Sequence, residues 1–283
     1  MPVTADSYET LRPLAFAIAY RMLGTVSEAE DIVQEAFLRL HRNEDDVESP
    51  KAFVATVTTR LSIDTLRSAR MRRETYPGPW LPEPIVTDTM PDSESVSMAL
   101  LVTLERLNPV ERAVFLLHDV FDYGYDEIAE IVGRRRENCR QLALRARRAV
   151  EAGRARFEPT REAQQELASR FFAAVGDGDI DALVEMLAED ATMYGDGGGI
   201  GQARKTPLHG GEKIARFMLG LMRVGARRDL RIEPAEINGA PGVIVRRPDG
   251  TPEGTLSLDF DGERIRAIRS QVNPEKLRHL TAP

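Results

Sequence analysis

This sequence is short of cross-links, aromatic rings and long apolar runs. Its one cysteine, Cys139, can form no intramolecular disulfide and is too little for a zinc cluster, so no metal is expected. Aromatic residues make up 6% of the chain, with a single tryptophan, Trp80. No stretch approaches ~18 uninterrupted apolar residues, which excludes a membrane-spanning helix. The start, Met1-Pro2-Val3-Thr4-Ala5-Asp6, lacks the charged and apolar regions of a signal peptide. A cytoplasmic chain with no membrane partner is expected. Positive charge is also in deficit, since 38 basic against 45 acidic residues give a net of −7, a sum that taken alone argues against a nucleic-acid partner. What remains is an ordinary globular composition, 42% hydrophobic and 29% charged, in 283 residues. Wholesale disorder is excluded, and at roughly 150 residues per domain the length suits two domains or three small ones.

The sum hides how the charge is placed. Leu11, Leu14, Ala15, Ile18, Ala19 and Met22 recur at helical spacing before Gly24, and Ser27 opens a second helix with Ala29, Ile32, Val33, Ala36, Phe37 and Leu40 on its apolar side. Its outer face carries Glu28, Glu30, Asp31 and Glu35 and is acidic. Ser49-Pro50 then starts a third helix, with Ser49 as N-cap and Pro50 in the first turn. Toward its end Arg60, Arg67, Arg70, Arg72 and Arg73 face only Asp64, a local net of 5 − 1 = +4. Further helices are predicted over Ser95 to Leu107, Pro109 to Phe121, Tyr125 to Val132 and Arg135 to about Arg156. The last two, joined through Gly133, have the pattern of a helix-turn-helix, with Ile128, Val132, Leu142 and Ala146 as its seam. From Arg134 to Arg156 nine arginines stand against two glutamates, a local net of +7.

Between these helical stretches Tyr76-Pro77-Gly78-Pro79-Trp80-Leu81-Pro82-Glu83-Pro84 cannot form a regular element, because its prolines remove amide donors and fix the chain. It reads as a linker running on through Asp88, Asp92 and Glu94. Trp80 and Leu81 in a linker need a cover. After Pro159 the texture changes to helices over Ala163 to Val175, Ile180 to Ala188 and Gly211 to Val224. Period-2 segments follow over Asp229 to Ile237, Gly242 to Arg247, Gly254 to Phe260 and Arg264 to Val272, making a small α+β domain with an antiparallel meander.

Four stretches carry a family resemblance. They are Asp31-Ile32-Val33-Gln34-Glu35-Ala36-Phe37-Leu38, then Ser49-Pro50-Lys51-Ala52-Phe53 through Asp64-Thr65-Leu66-Arg67, then Leu107-Asn108-Pro109-Val110-Glu111-Arg112-Ala113-Val114-Phe115, and last Tyr125-Asp126-Glu127-Ile128-Ala129 to Arg145-Ala146-Arg147. In this order and spacing they resemble the extracytoplasmic-function (ECF) class of bacterial sigma factors. The carboxy-terminal part resembles a SnoaL-like, ketosteroid-isomerase-like domain. The combination resembles the sigma subgroup with such a domain fused to it, through the linker Trp80-Leu81-Pro82-Glu83-Pro84, the loop Asp196-Gly197-Gly198-Gly199 and the tail Asn273-Pro274-Glu275-Lys276-Leu277.

The resemblance implies a multidomain chain: two all-α domains, 1–75 and 95–157, a linker over 76–94, and an α+β SnoaL-like cone over 160–283. The implied partners are core RNA polymerase and promoter DNA, with Asp31, Gln34, Glu35, Phe37 and Leu38 on polymerase. Arg60, Arg67, Arg70, Arg72 and Arg73 would serve the −10 element. At the −35 element Arg135, Arg136, Glu137, Arg140 and Gln141 would read bases, and Arg134, Arg145, Arg147 and Arg148 would hold phosphates. No cofactor is implied, and a fused regulator makes a separate anti-sigma factor unnecessary. Two departures stand out. Arg60 replaces the family's usual asparagine four residues before Asp64, and Ile200 stands where the subgroup's loop carries a lysine, leaving Lys205 as the nearest cation.

The carboxy-terminal domain leaves alternatives open. Tyr194, Asp196, His209, Asp259 and Gln271 are the polar groups available to an isomerase-like or hydrolase-like site, and an apolar pocket would take a small ligand. A ligand-responsive helix-turn-helix regulator that does not recruit polymerase is a further reading. The loop and tail can equally hold the linker, in which case Asp196 accepts hydrogen bonds while the glycines permit close approach. The tail is otherwise the cap of the last strand. Cys139, among arginines, is either a core residue or a thiol of lowered pKa.

Overall fold

The structure, a computed structural model, describes residues 5–43, 45–87, 97–152 and 159–281. The predicted linker end with Asp88, Asp92 and Glu94, the helix start at Ser95 and the helix end at Arg154 to Arg156 lie outside the described residues. Two compact units are formed, one within Met1–Thr75 and Leu100–Gly153, the other within Tyr76–Ala99 and Arg154–Pro283. The two helical modules therefore share one unit, and the linker belongs with the carboxy-terminal domain.

The first unit contains α1 (Ala5–Leu23), α2 (Val26–Arg42), α3 (Pro50–Glu74), α4 (Met98–Leu104), α5 (Pro109–Phe115), α6 (Tyr125–Val132) and α7 (Arg136–Glu151). Local chemistry sets the starts. The Ser49 hydroxyl accepts from Ala52 N at 3.4 Å with Pro50 behind it. Asn108 accepts from Val110 N and Glu111 N at 3.1 and 2.9 Å while Glu111 reaches back to Asn108 N at 3.3 Å, a reciprocal capping box. Two expectations are corrected. Helix α2 starts at Val26 rather than Ser27, with Thr25 as its N-cap residue. The helix expected from Pro109 to Phe121 widens after Phe115 into a π turn over Leu116–Val120, closed by Phe121 N on Leu116 O at 3.0 Å.

Helices α6 and α7 form the helix-turn-helix around Gly133, whose φ of 64° is the left-handed value a tight C-terminal cap requires. Its core is Val114, Leu117, Ile128, Ile131, Cys139 and Ala143. Val132 and Leu142 of the expected seam lie at its margin, and Ile131 faces inward instead. Cys139 is fully buried, and burial pushes its thiol pKa up against a smaller opposing pull from Arg134, so the lowered-pKa reading is corrected.

The second unit contains α8 (Arg161–Asp177), α9 (Ile180–Met186), α10 (Gly211–Arg227) and a six-stranded sheet. Its strands are β1 (Leu187–Asp196), β2 (Leu208–His209), β3 (Arg231–Ile237), β4 (Ala240–Arg246), β5 (Pro252–Asp261) and β6 (Arg264–Gln271), ordered β2-β1-β6-β5-β4-β3. Strands β3 to β6 are the expected meander. The sheet is mixed, however, because β1 runs parallel to β6. Met193, Ile268 and Leu258 lie side by side across β1, β6 and β5 and pack with Phe171, Leu183, Ile214 and Met218 of the helices. Strand alternation then sends Tyr194, Asp196, Ser257, Asp259, Arg269 and Gln271 to the opposite face.

Candidate functional site

On that opposite face the linker meets Asp196. Asp196 is fully buried, and its carboxylate accepts five hydrogen bonds. Oδ1 takes the Tyr76 hydroxyl at 2.5 Å and Gly198 N at 3.1 Å. Oδ2 takes Leu81 N at 2.8 Å, Gln271 Nε2 at 3.2 Å and Lys276 Nζ at 2.7 Å. Lys276 Nζ also donates to Leu81 O at 2.6 Å, so both backbone polar groups of Leu81 are held. The same ammonium stands 4.1 Å from the centre of the Trp80 ring and 5.0 Å from that of Tyr76, within cation–π range of both. Leu81 itself is 2% exposed, and Pro82 and Glu83 are buried beside it. Burial and the bond to Asp196 raise the Tyr76 phenol pKa, keeping it a donor.

The glycine loop permits this approach. Gly198 has φ 60°, and a Cβ there would come within 2.3 Å of Asn273 Nδ2. At Gly199, φ 77°, it would meet Pro77 Cγ at 2.9 Å. Gly197 O closes the loop by accepting Gly201 N at 2.6 Å. The tail supplies the other wall. Asn273 Nδ2 donates to the Tyr76 hydroxyl at 3.0 Å, and Asn273 Oδ1 caps the 3₁₀ turn Pro274–Leu280 through Glu275 N at 3.0 Å. Leu277 is buried in that turn. The tail thus both caps the last strand and touches the linker. The loop's cation is Lys276, not Lys205, while Ile200 is 64% exposed.

A second hold lies further along, where Ile85 N donates to Asn238 Oδ1 at 3.0 Å and Asn238 N to Ile85 O at 2.8 Å. Val86 bridges Ile237, and Thr87 N donates to Glu236 O at 2.9 Å, so the linker extends the β3 edge. His279 Nε2 sits 2.6 Å from Pro84 O. Gln271, Asn238 and His279, and the part of Tyr76 within the linker itself, are contacts that the sequence does not announce. The residues named as catalytic candidates are engaged otherwise: Asp196 and Gln271 with the linker, Asp259 in an ion pair with Arg269, and His209 with Thr192 Oγ1 at 3.1 Å. Burial lowers the Arg269 pKa to about 10. Among the described residues no group of three or more His, Cys, Asp or Glu side chains could hold a metal, and no helix is long and apolar enough to cross a membrane.

In the helix-turn-helix Arg134, Arg135, Arg136, Glu137, Arg140, Gln141, Arg145 and Arg148 are exposed, and Arg147 is half-buried. Arg136 lies 3.3 Å from Asp126, Arg145 2.9 Å from Glu111 and Arg147 2.6 Å from Asp119, while Arg140 sits over the Tyr125 ring at 5.6 Å. Exposed pairs of this kind contribute about 0–1 kcal/mol each, so exchanging the carboxylate for a phosphate costs little. On α2, Asp31 and Gln34 are exposed, Glu35 pairs with Arg39 at 2.7 Å and Leu38 is 45% exposed. Phe37 is a correction: it is buried with Val33, Leu40 and Val54, its ring 4.6 Å from that of Tyr8, and offers no outward surface.

The arginines of α3 are divided. Arg67 is exposed beside Asp64 at 2.9 Å, and the side chains of Arg70 and Arg72 lie outside the described ones. Arg60 and Arg73 are engaged with helix-end carbonyls, Arg60 while staying exposed and Arg73 part-buried, another correction. Arg60 donates through Nε to Ile131 O at 2.9 Å and through Nη2 to Glu130 O at 2.8 Å. Arg73 donates to Leu23 O at 2.6 Å and pairs with Glu105, which also pairs with the fully buried Arg112. Both arginines satisfy carbonyls left open at helix C-termini, of α6 and of α1. Burial pushes the Glu105 pKa up, but Arg112 and Arg73 outweigh it and hold the carboxyl below its ordinary value.

Comparison with known proteins gives this architecture a class. The Sigma-70 region 2 family matches residues 7–72, Sigma-70 region 4 residues 97–150, and the SnoaL-like domain residues 168–269. The chain is 42% identical to the ECF RNA polymerase sigma factor SigJ of Mycobacterium tuberculosis over 96% of this chain and 92% of that one. It is 33% identical to "Probable ECF RNA polymerase sigma factor SigI" of the same species, over 99% and 97%. The crystal structure of M. tuberculosis SigJ superposes with a TM-score of 0.78 at 34% identity, covering 97% of this chain and 98% of that one. The chain belongs to the ECF RNA polymerase sigma factors.

Proposed function

We propose that this chain binds core RNA polymerase through α2, reads the −10 element with the first helical module and the −35 element with the helix-turn-helix, and is tuned by its own carboxy-terminal domain. Asp31, Gln34, Glu35 and Leu38 form the outward polymerase face. Exposed Arg67 serves the −10 element, and Arg135, Arg136, Glu137, Arg140 and Gln141 address base edges at −35.

One observation carries the regulatory part: Asp196 and Lys276, a buried ion pair of the carboxy-terminal domain, clasp both backbone groups of Leu81. Whatever holds the linker selects which separations of the two DNA-binding modules are populated. The domain therefore does in one chain what a separate anti-sigma factor does elsewhere. Of the polar groups that an isomerase would need, Asp196 and Gln271 are engaged with the linker, Asp259 with Arg269 and His209 with Thr192, which favours a regulator without catalysis. The test of the polymerase part is co-purification: reversal of Asp31 and Glu35 to lysine in the full chain should abolish binding to core polymerase. Undiminished binding would refute the face.

A further inference from the structure

The exposed arginines of α7 are not all held alike. Arg136 and Arg145 point Nε at the carboxylates of Asp126 and Glu111, which must be exchanged before those donors reach DNA. Arg140 instead has its guanidinium carbon over the Tyr125 ring, 5.6 Å from the ring centre. The ring attracts the charge through its π face and consumes none of the N–H donors, which stay available for a guanine edge. Holding and reading therefore do not compete.

The same phenol serves a second arginine. Arg147 donates through Nε to Asp119 at 2.6 Å, and that bond above all, with a further one to the Tyr125 hydroxyl, raises its pKa above the ordinary value. Seven residues separate Arg140 from Arg147, so the two share one face of α7, about 10.5 Å apart along its axis. Tyr125, the first residue of α6, touches both. Its half-buried ring is itself packed, with the His118 ring of the π turn 4.2 Å away centre to centre. His118 is fixed in turn, because its Nδ1 lies 3.0 Å from Tyr123 O, a carbonyl that only accepts, so Nδ1 carries the proton. We infer that Tyr125 is a positioning residue of the −35 reader, directing the base-reading Arg140 through its ring and the phosphate-holding Arg147 through its hydroxyl. An unheld surface arginine gives up many rotamers when DNA binds, and a ring that restricts them beforehand lowers that cost. The inference rests on the −35 assignment of these two arginines.

Binding is measured with the full chain and core polymerase on promoter fragments carrying every base pair at each −35 position, with Arg140→Gln marking the position that Arg140 reads. Tyr125→Phe keeps the ring and loses the hydroxyl, so affinity should fall about threefold on every fragment with the preference profile unchanged. Tyr125→Leu loses both, and should also flatten the preference at the Arg140 position about threefold. Combined with Arg140→Gln, it should flatten that position no further, a non-additivity that a merely structural role does not give. Tyr125 also packs at the margin of the motif's core, so the melting temperatures of the variants are compared. If Tyr125→Leu does not fold, the cycle is run on overall affinity with Tyr125→Phe and Arg147→Gln, where additive effects would overturn the inference. An unchanged profile in folded Tyr125→Leu, or additivity with Arg140→Gln, would overturn it equally. Failure of the −35 assignment reads differently, because Arg140→Gln itself then leaves the profile unchanged. The Arg140 Nε–H resonance of the free chain still reports the hold in that case: Tyr125→Leu should remove its ring-current shift, and an unmoved resonance would show that the ring does not hold Arg140.

Discussion

Asp196 Oδ2 and Lys276 Nζ lie 2.7 Å apart, from positions 80 residues distant in sequence, with side chains 0% and 8% exposed. Removing both charges from water is costly, and the pair persists because each member is also bonded to Leu81 of the linker. Breaking one partner of the pair strands the other as an uncompensated buried charge.

Lys276→Met should therefore release the linker. Loss of one member of a buried pair costs about 3–5 kcal/mol, enough to raise amide exchange at Leu81 by about a hundredfold or more. Emission from Trp80, the one tryptophan of the chain, should shift to the red as the ammonium and the enclosure are lost. An unchanged exchange rate at Leu81 would show that other contacts hold the linker.

Arg147 and Arg136 should differ in kind. Arg147→Gln should weaken binding to every promoter and lower the salt slope by about 1, as loss of one phosphate contact does. Arg136→Gln should relax preference at one position by about 1–3 kcal/mol. Equal effects of both substitutions on all promoters would defeat the assignment.

The Cys139 thiol should react slowly. With its pKa raised above the ordinary thiol value by burial, it holds less thiolate at pH 8 than a free cysteine does, and alkylation should gain rate only at higher pH. Labelling of the folded chain by iodoacetamide at the rate of a peptide cysteine would contradict the core position.

Much of this was legible in the sequence because it is local. The N-cap at Ser49, the Gly133 turn, the arginines of α7 and the need to cover Trp80 and Leu81 all follow from neighbouring residues. Distant geometry was not. An arginine serves a phosphate or a helix-end carbonyl equally well, and only the fold shows that Arg60 and Arg73 face the ends of α6 and α1. Phe37 falls on the apolar stripe of α2, a signal the sequence did carry. Nothing in the sequence near the glycine loop announces Lys276 as its cation, because the tail reaches it through the parallel pairing of β1 with β6. For the same reason the sequence does not show that Gln271, a candidate for an isomerase-like site, or Tyr76 of the linker lies beside Asp196.

Control of initiation through the linker is measured most directly by reconstituted transcription with core polymerase on a promoter series whose −10 to −35 spacing changes by single base pairs. A held linker favours one separation of the modules, so the unsubstituted chain should show a sharp optimum, and Asp196→Asn, at equal polymerase binding, should show a flatter profile. Identical profiles for the two proteins would contradict the claim that the carboxy-terminal domain tunes initiation through the linker.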